Sequence, residues 1–113
     1  MSLVRIDKSD LNAIVTQTLS SCGAKNVQRI GVFGSRADMS KKGGDLDFYI
    51  EVNDQKIDSG GLASSIRVAL WEKLGEQKID ILIWNTNPAK NSEQTRKFRD
   101  VILPQCVFIW GQN

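Results

Sequence analysis

The sequence contains no histidine. That absence excludes serine–histidine and cysteine–histidine nucleophilic catalysis and most zinc chemistry, leaving carboxylates, lysine, arginine and hydroxyls for any reaction. Cysteine is scarce too. Cys22 and Cys106 have no metal-type spacing, and the opening MSLVRIDKSD is polar rather than an apolar run, so a reducing, cytoplasmic setting is expected. No apolar window approaches the length of a membrane span, and no membrane partner is expected. A net charge of +2 is too small for a dedicated nucleic-acid surface, so direct nucleic-acid binding is not expected either.

What is present fits one ordinary domain. The chain has 113 residues, 41% hydrophobic and 25% charged, which suits a single core over residues 1–113 with no separate substrate domain. There is no internal repeat, low-complexity tract or interdomain linker.

The hydrophobic periodicity predicts three helices and four strands. Leu11, Ile14, Val15 and Cys22 recur at helical spacing over Ser9–Cys22, with Ser9 or Asp7 as N-cap and Gly23 as the stop. RIGVF, Arg29–Phe33, reads as a strand running into a turn at Gly34, and Ser35 opens a short helix or a loop. Leu46–Val52 alternates: Leu46, Phe48, Ile50 and Val52 share one face, and Asp45, Asp47, Tyr49 and Glu51 the other. A dry face and a wet face predict a sheet covered by helices on one side only. After a loop over Asn53–Gly61, a second helix is predicted over Ser59–Glu76 and a strand over Lys78–Trp84. A third helix over Asn91–Leu103, stopped by Pro104, and a strand over Cys106–Trp110 complete the series.

The chemistry concentrates in GSRADMSKKGGDLDF, Gly34–Phe48. Asp45 and Asp47 lie two apart on a strand, so both carboxylates project from one face. Two negative charges that close favour a bound cation, and hard oxygen ligands suit Mg²⁺ or Mn²⁺. Gly34-Ser35, at the end of the preceding strand, lets backbone N–H groups and a hydroxyl approach an anion, with phosphate the natural guest. Asp80 stands out in an otherwise apolar strand. If that strand neighbours the Asp45–Asp47 strand, Asp80 becomes a third carboxylate for a two-metal site and for deprotonating an attacking hydroxyl. Each piece also has a plainer reading: solvated strand aspartates, an ordinary turn, and an Asp80 paired with Lys78 or another lysine.

The order of these pieces resembles the polymerase-beta-like nucleotidyltransferase superfamily: strand, Gly-Ser, nine residues, D-x-D, helix, then a strand with one aspartate. Within it the chain looks most like the minimal nucleotidyltransferase (MNT) proteins, whose motif often begins GSRA, as Gly34-Ser35-Arg36-Ala37 does here. The motif segment spans Ile30–Ile50. Many relatives have serine before the first aspartate and one more spacer residue, where this chain has Gly43-Gly44.

The resemblance implies an α+β fold with a small mixed sheet and helices packed on one face. It implies Asp45, Asp47 and Asp80 as metal ligands and catalytic carboxylates, and Gly34 and Ser35 as the triphosphate grip, with Arg36 either neutralising phosphate beside them or packing as a helix-end arginine. It further implies Mg²⁺ (or Mn²⁺) as cofactor and ATP as donor. AMP would pass to a hydroxyl, a tyrosine of a HEPN-domain toxin, with this protein as the antitoxin. Two other readings stay open, a binding module that neutralises or scaffolds its partner without turnover, and a nucleotidyltransferase for a small-molecule acceptor. A homo-dimer or hetero-oligomer is compatible with the small size and the exposed sheet face. Trp71 and Trp110 read as core; Trp84, sharing a face with Asp80, is a candidate for base contact or an interface.

Overall fold

The computed structural model describes residues 4–37, 44–53 and 59–112. Its elements run α1 (Lys8–Cys22), β1 (Val27–Phe33), β2 (Leu46–Val52), α2 (Ser59–Leu74), β3 (Ile79–Asn85), α3 (Glu93–Ile102) and β4 (Val107–Gly111). They form an α+β fold with one four-stranded mixed sheet in the order β3-β2-β1-β4. β1 pairs antiparallel with both β2 and β4, while β2 and β3 are parallel, joined by the α2 crossover. Among the described residues no helix is long and apolar enough to cross a membrane.

The inward positions of β2 build the main core. Leu46, Phe48, Ile50 and Val52 are buried with Ile30 and Val32 of β1 and Ile79 and Ile83 of β3. Against them pack Ile14 and Cys22 of α1 and Ile66 and Leu70 of α2, with Val4 and Ile6 from the N-terminal segment. Gly23, at φ 84, ends α1, a backbone conformation that L side chains avoid. At the crossover, Arg67 Nε donates to the Ile79 carbonyl at 2.8 Å and Trp71 Nε1 to the Gln77 carbonyl at 2.6 Å.

The second face corrects the expectation that helices cover one side only. Phe33, Tyr49, Trp84 and Ile102 form a separate buried cluster, flanked by Leu82, Leu103, Cys106 and Phe108. Ile102 belongs to α3, so α3 lies on the face opposite α1 and α2. Tyr49 is fully buried, and Glu51 is 8% exposed. Both tolerate burial because their polar atoms are satisfied. Tyr49 Oη donates to Glu51 Oε2 at 2.6 Å, Arg29 Nε donates to the same oxygen at 2.8 Å, and Arg99 Nε donates to Tyr49 Oη at 2.8 Å. The Arg99 guanidinium also lies 4.3 Å from the Trp84 ring centroid, a cation–π contact.

α3 is held at its start as well. Ser92 Oγ accepts from Thr95 N at 3.1 Å as N-cap. The buried Asn91 amide pairs reciprocally with the Asn85 backbone, accepting from its N–H and donating to its carbonyl, both at 2.9 Å. This copies a strand-type pairing and joins the end of β3 to the entry of α3. The expected loop Asn53–Gly61 lies partly outside the described residues, and its last three, Ser59–Gly61, open α2 instead.

Candidate active site

Asp47 and Asp80 are Cα partners in the parallel β2–β3 pairing. Both side chains leave the sheet on the face opposite the main core, because Leu46 and Ile79, the pair before them, point into it. Asp45 precedes β2 and is exposed. Burial pushes the Asp47 carboxyl up to about 6, helped by the charges of Asp80 and Asp45 and by a hydrogen bond with Asp80, and opposed by Lys78. A carboxyl raised first by burial and then by neighbouring carboxylates is one mark of a candidate site.

Among the described residues, Lys78 is the cation ion-paired with these acids. Its Nζ lies 3.5 Å from Asp45 Oδ2 and 4.0 Å from Asp80 Oδ2. The Lys78 carbonyl accepts from Leu46 N at 3.3 Å, so the lysine is anchored to the middle residue of Asp45-Leu46-Asp47. The sequence offered Lys78 only as a surface partner for Asp80, with nothing to say that it also reaches Asp45.

The Gly34–Ala37 turn, one turn of 3₁₀ helix, begins against Asp47. Gly34 has φ 71, and a Cβ there would collide with Asp47 Oδ2. Gly44 has φ 99, and a Cβ there would collide with Ser35 Oγ. Both glycines are thus demanded by close approach and by backbone conformation together. Gly34, just past the strand end, lies against Asp47, and Ser35 lies against Gly44.

Arg36 bonds to backbone carbonyls on both sides of the turn. Its Nη1 donates to the Arg5 carbonyl at 2.7 Å and its Nε to the Gly44 carbonyl at 3.3 Å. Arg5 reciprocates: its N–H donates to the Arg36 carbonyl at 2.8 Å and its Nη2 to the Ser35 carbonyl at 2.7 Å. The two arginines clamp the turn between the N-terminal segment and Gly44. The signal for this was the alternation Val4-Arg5-Ile6, which buries its apolar residues in the main core. Lys41, Lys42 and Gly43, the spacer whose role the sequence leaves open, lie outside the described residues.

Beside the carboxylates runs a groove of about 380 Å³ lined by Asp47, Asp80, Arg67, Phe33, Leu82 and Phe98. Phe98 is 47% exposed and meets Phe33 edge-on, with centroids 6.0 Å apart. Trp84, a candidate for base contact by its face, is instead buried in the second cluster beneath Arg99. Trp71 and Trp110 pack against the main core.

The donor set is chemically right for a hard divalent cation, being carboxylate oxygens alone. As the side chains stand, no group of three or more acidic or sulfur residues among the described residues is gathered tightly enough to hold a metal ion. Asp45, Asp47 and Asp80 are the residues that would hold such a cation. No family model matches the chain, and no curated protein matches it in sequence.

Proposed function

We propose that the protein is a Mg²⁺-dependent (or Mn²⁺-dependent) nucleotidyltransferase that transfers AMP from ATP to a hydroxyl. The observation that carries this reading is the pairing of Asp47 with Asp80, with Asp45 alongside and the Gly34-Ser35 turn folded against Asp47. Carboxylates for metal and backbone donors for phosphate then share one end of the sheet. Asp45, Asp47 and Asp80 would hold the metal, which stabilises charge on the attacking and leaving oxygens of an in-line displacement. The Gly34–Ala37 turn would hold the triphosphate, and Arg36 would serve by fixing that turn. The acceptor oxygen bonds to the α-phosphorus, the bond to the β-phosphate bridging oxygen breaks, and pyrophosphate leaves. The acceptor proton passes to a carboxylate of the site, with Asp80 the expected base.

For the acceptor, the resemblance stated above supports a tyrosine of a HEPN-domain toxin, with this chain as its antitoxin. AMP attached to the toxin adds charge and bulk where it would block activity. The groove beside the carboxylates, walled by Phe33, Leu82 and Phe98, suits a planar side chain. A reducing, cytoplasmic setting agrees with two free cysteines.

A second reading is favoured by one observation: Phe98 and Val101 stand exposed, 47% and 63%, three residues apart on α3. An apolar pair of this kind suits a protein that neutralises its partner by contact alone. The two readings separate on one experiment. Wild type with α-labelled ATP and the HEPN protein should label the partner and neutralise it, and Asp45→Asn with Asp47→Asn should do neither. Neutralisation by the double variant, with no label transferred by wild type, would leave the contact reading standing and remove the enzymatic one.

A further inference from the structure

Among the described residues, three carboxylates and one ammonium meet at the open end of β2 and β3. The ammonium is Lys78, and its position is built in twice: its carbonyl is tied to Leu46 N at 3.3 Å, and its Nζ stands 3.5 Å from Asp45 and 4.0 Å from Asp80. Neither distance is that of a short, charge-assisted hydrogen bond. The side chain sits between two acids without being locked to either, and it is 68% exposed, so it can leave at little packing cost.

Resting on the nucleotidyltransferase reading, we propose that Lys78 is a resident stand-in for the divalent cation: it neutralises the carboxylates until metal arrives, and must be displaced for metal to bind. The consequence is coupling between the two ligands. A divalent cation entering alone competes with Lys78 for Asp45 and Asp80, so the free protein binds it weakly. When a polyphosphate enters with the cation, the displaced ammonium gains an anion nearby, because Gly34, at the head of the turn, lies against Asp47, the strand partner of Asp80. Metal and nucleotide therefore load together, and Lys78 is a positioning residue rather than a catalytic one.

The same charges also work against removal of the lysine. Asp45, Asp47 and Asp80 repel one another in the metal-free protein, and Lys78 is the cation the structure sets between Asp45 and Asp80. Its loss should weaken the metal-free fold slightly and strengthen metal binding, opposite signs from one substitution. A lysine of purely structural value would not give that pair.

The test is Mn²⁺ binding to the full chain, followed by electron paramagnetic resonance of free Mn²⁺, with and without a non-hydrolysable ATP analogue. Wild type should bind Mn²⁺ weakly alone and more tightly with the analogue. Lys78→Met should bind Mn²⁺ alone about tenfold more tightly, a change of about 1.4 kcal/mol, and lose most of the enhancement by the analogue. Lys78→Arg, which keeps the cation, should stay near wild type. In EDTA, Lys78→Met should melt below wild type, and saturating Mn²⁺ should reverse that order. If wild type binds Mn²⁺ but Lys78→Met binds it equally or more weakly, the role of Lys78 is overturned and the nucleotidyltransferase reading survives. If neither protein binds Mn²⁺ with or without the analogue, that reading falls and the role of Lys78 falls with it.

Discussion

Asp47 on β2 and Asp80 on β3 stand opposite each other in a parallel register, one residue beyond the Leu46–Ile79 pair that faces the core. The relationship places two acids side by side at a strand end where only Lys78 offsets them among the groups that shift Asp47. Natural folds rarely keep such a conflict for stability's sake, and strongly shifted groups concentrate where a site does chemistry.

Replacing Asp47 by Asn should therefore stabilise the metal-free protein and, on the proposed function, abolish transfer. The Asp47 carboxyl is raised from 3.8 to about 6 in the fold. Its contribution to stability is fully present below the unfolded value and is lost as pH rises through about 6. Since the group is partly solvated, the gain at pH 7.5 is about 1 kcal/mol after allowance for screening, or ~4 °C in melting temperature. Thermal melts in EDTA from pH 4 to 8 should show the Asp47→Asn advantage growing through pH 4–6. An advantage constant across that range would count against the raised carboxyl.

Glu51 behaves in the opposite sense. Burial alone would raise its carboxyl, but hydrogen bonds from Arg29 and Tyr49 and the charges of Arg29 and Arg99 outweigh this and hold it below the usual range. Its stabilisation is present above the unfolded carboxylate value and lost as pH falls through the depressed one. Glu51→Ala would leave Arg29, Tyr49 and Arg99 facing a hole, at a cost of about 3 kcal/mol in urea unfolding. An effect under a tenth of that would show that α3 is held to the sheet by apolar contacts alone.

Gly34→Ala tests the turn. At φ 71 an L side chain costs about 1–2 kcal/mol, and the added Cβ would also push against Asp47 Oδ2. Destabilisation in this range together with weaker binding of an ATP analogue is expected. Unchanged nucleotide affinity in a folded Gly34→Ala protein would detach the turn from phosphate binding.

Leu46→Ala should cost about 3 kcal/mol, because the residue is 3% exposed in the main core. It also orients Asp45 and Asp47 away from that core. Calorimetry gives the stability term, and Mn²⁺ titration of the folded fraction should show weakened binding as the strand end loosens.

The thiols should be sluggish. Burial pushes both Cys22 and Cys106 up to about 11, so at pH 8 the thiolate fraction is on the order of one in a thousand. A disulfide reagent should react with both only slowly in the native protein and promptly in denaturant. Fast native labelling of either cysteine would contradict the packing described around it.

The sequence alone determined the elements and the direction of the acids. β2 was legible to the residue, Leu46–Val52, because its period-two alternation is unbroken, and Leu46 between two aspartates told which way they point. The helices were legible to within two or three residues at their ends, since capping and stop residues bracket their apolar periods. Only the tertiary structure decided what each polar side chain meets. Tyr49 and Glu51 read as a wet face, yet Arg99, distant in sequence, and Arg29, on the neighbouring strand, satisfy both and let α3 cover them. Arg36 read either as a phosphate partner or as a helix-end arginine, and the fold gives it the backbone carbonyls of Arg5 and Gly44. Lys78 read as one pairing partner for Asp80, and the parallel pairing of β2 with β3 sets it beside Asp45 as well. The physical reason is that alternation reports the side of one strand on which a residue lies. Whether that side is water, a guanidinium or another carboxylate depends on elements brought from elsewhere in the chain.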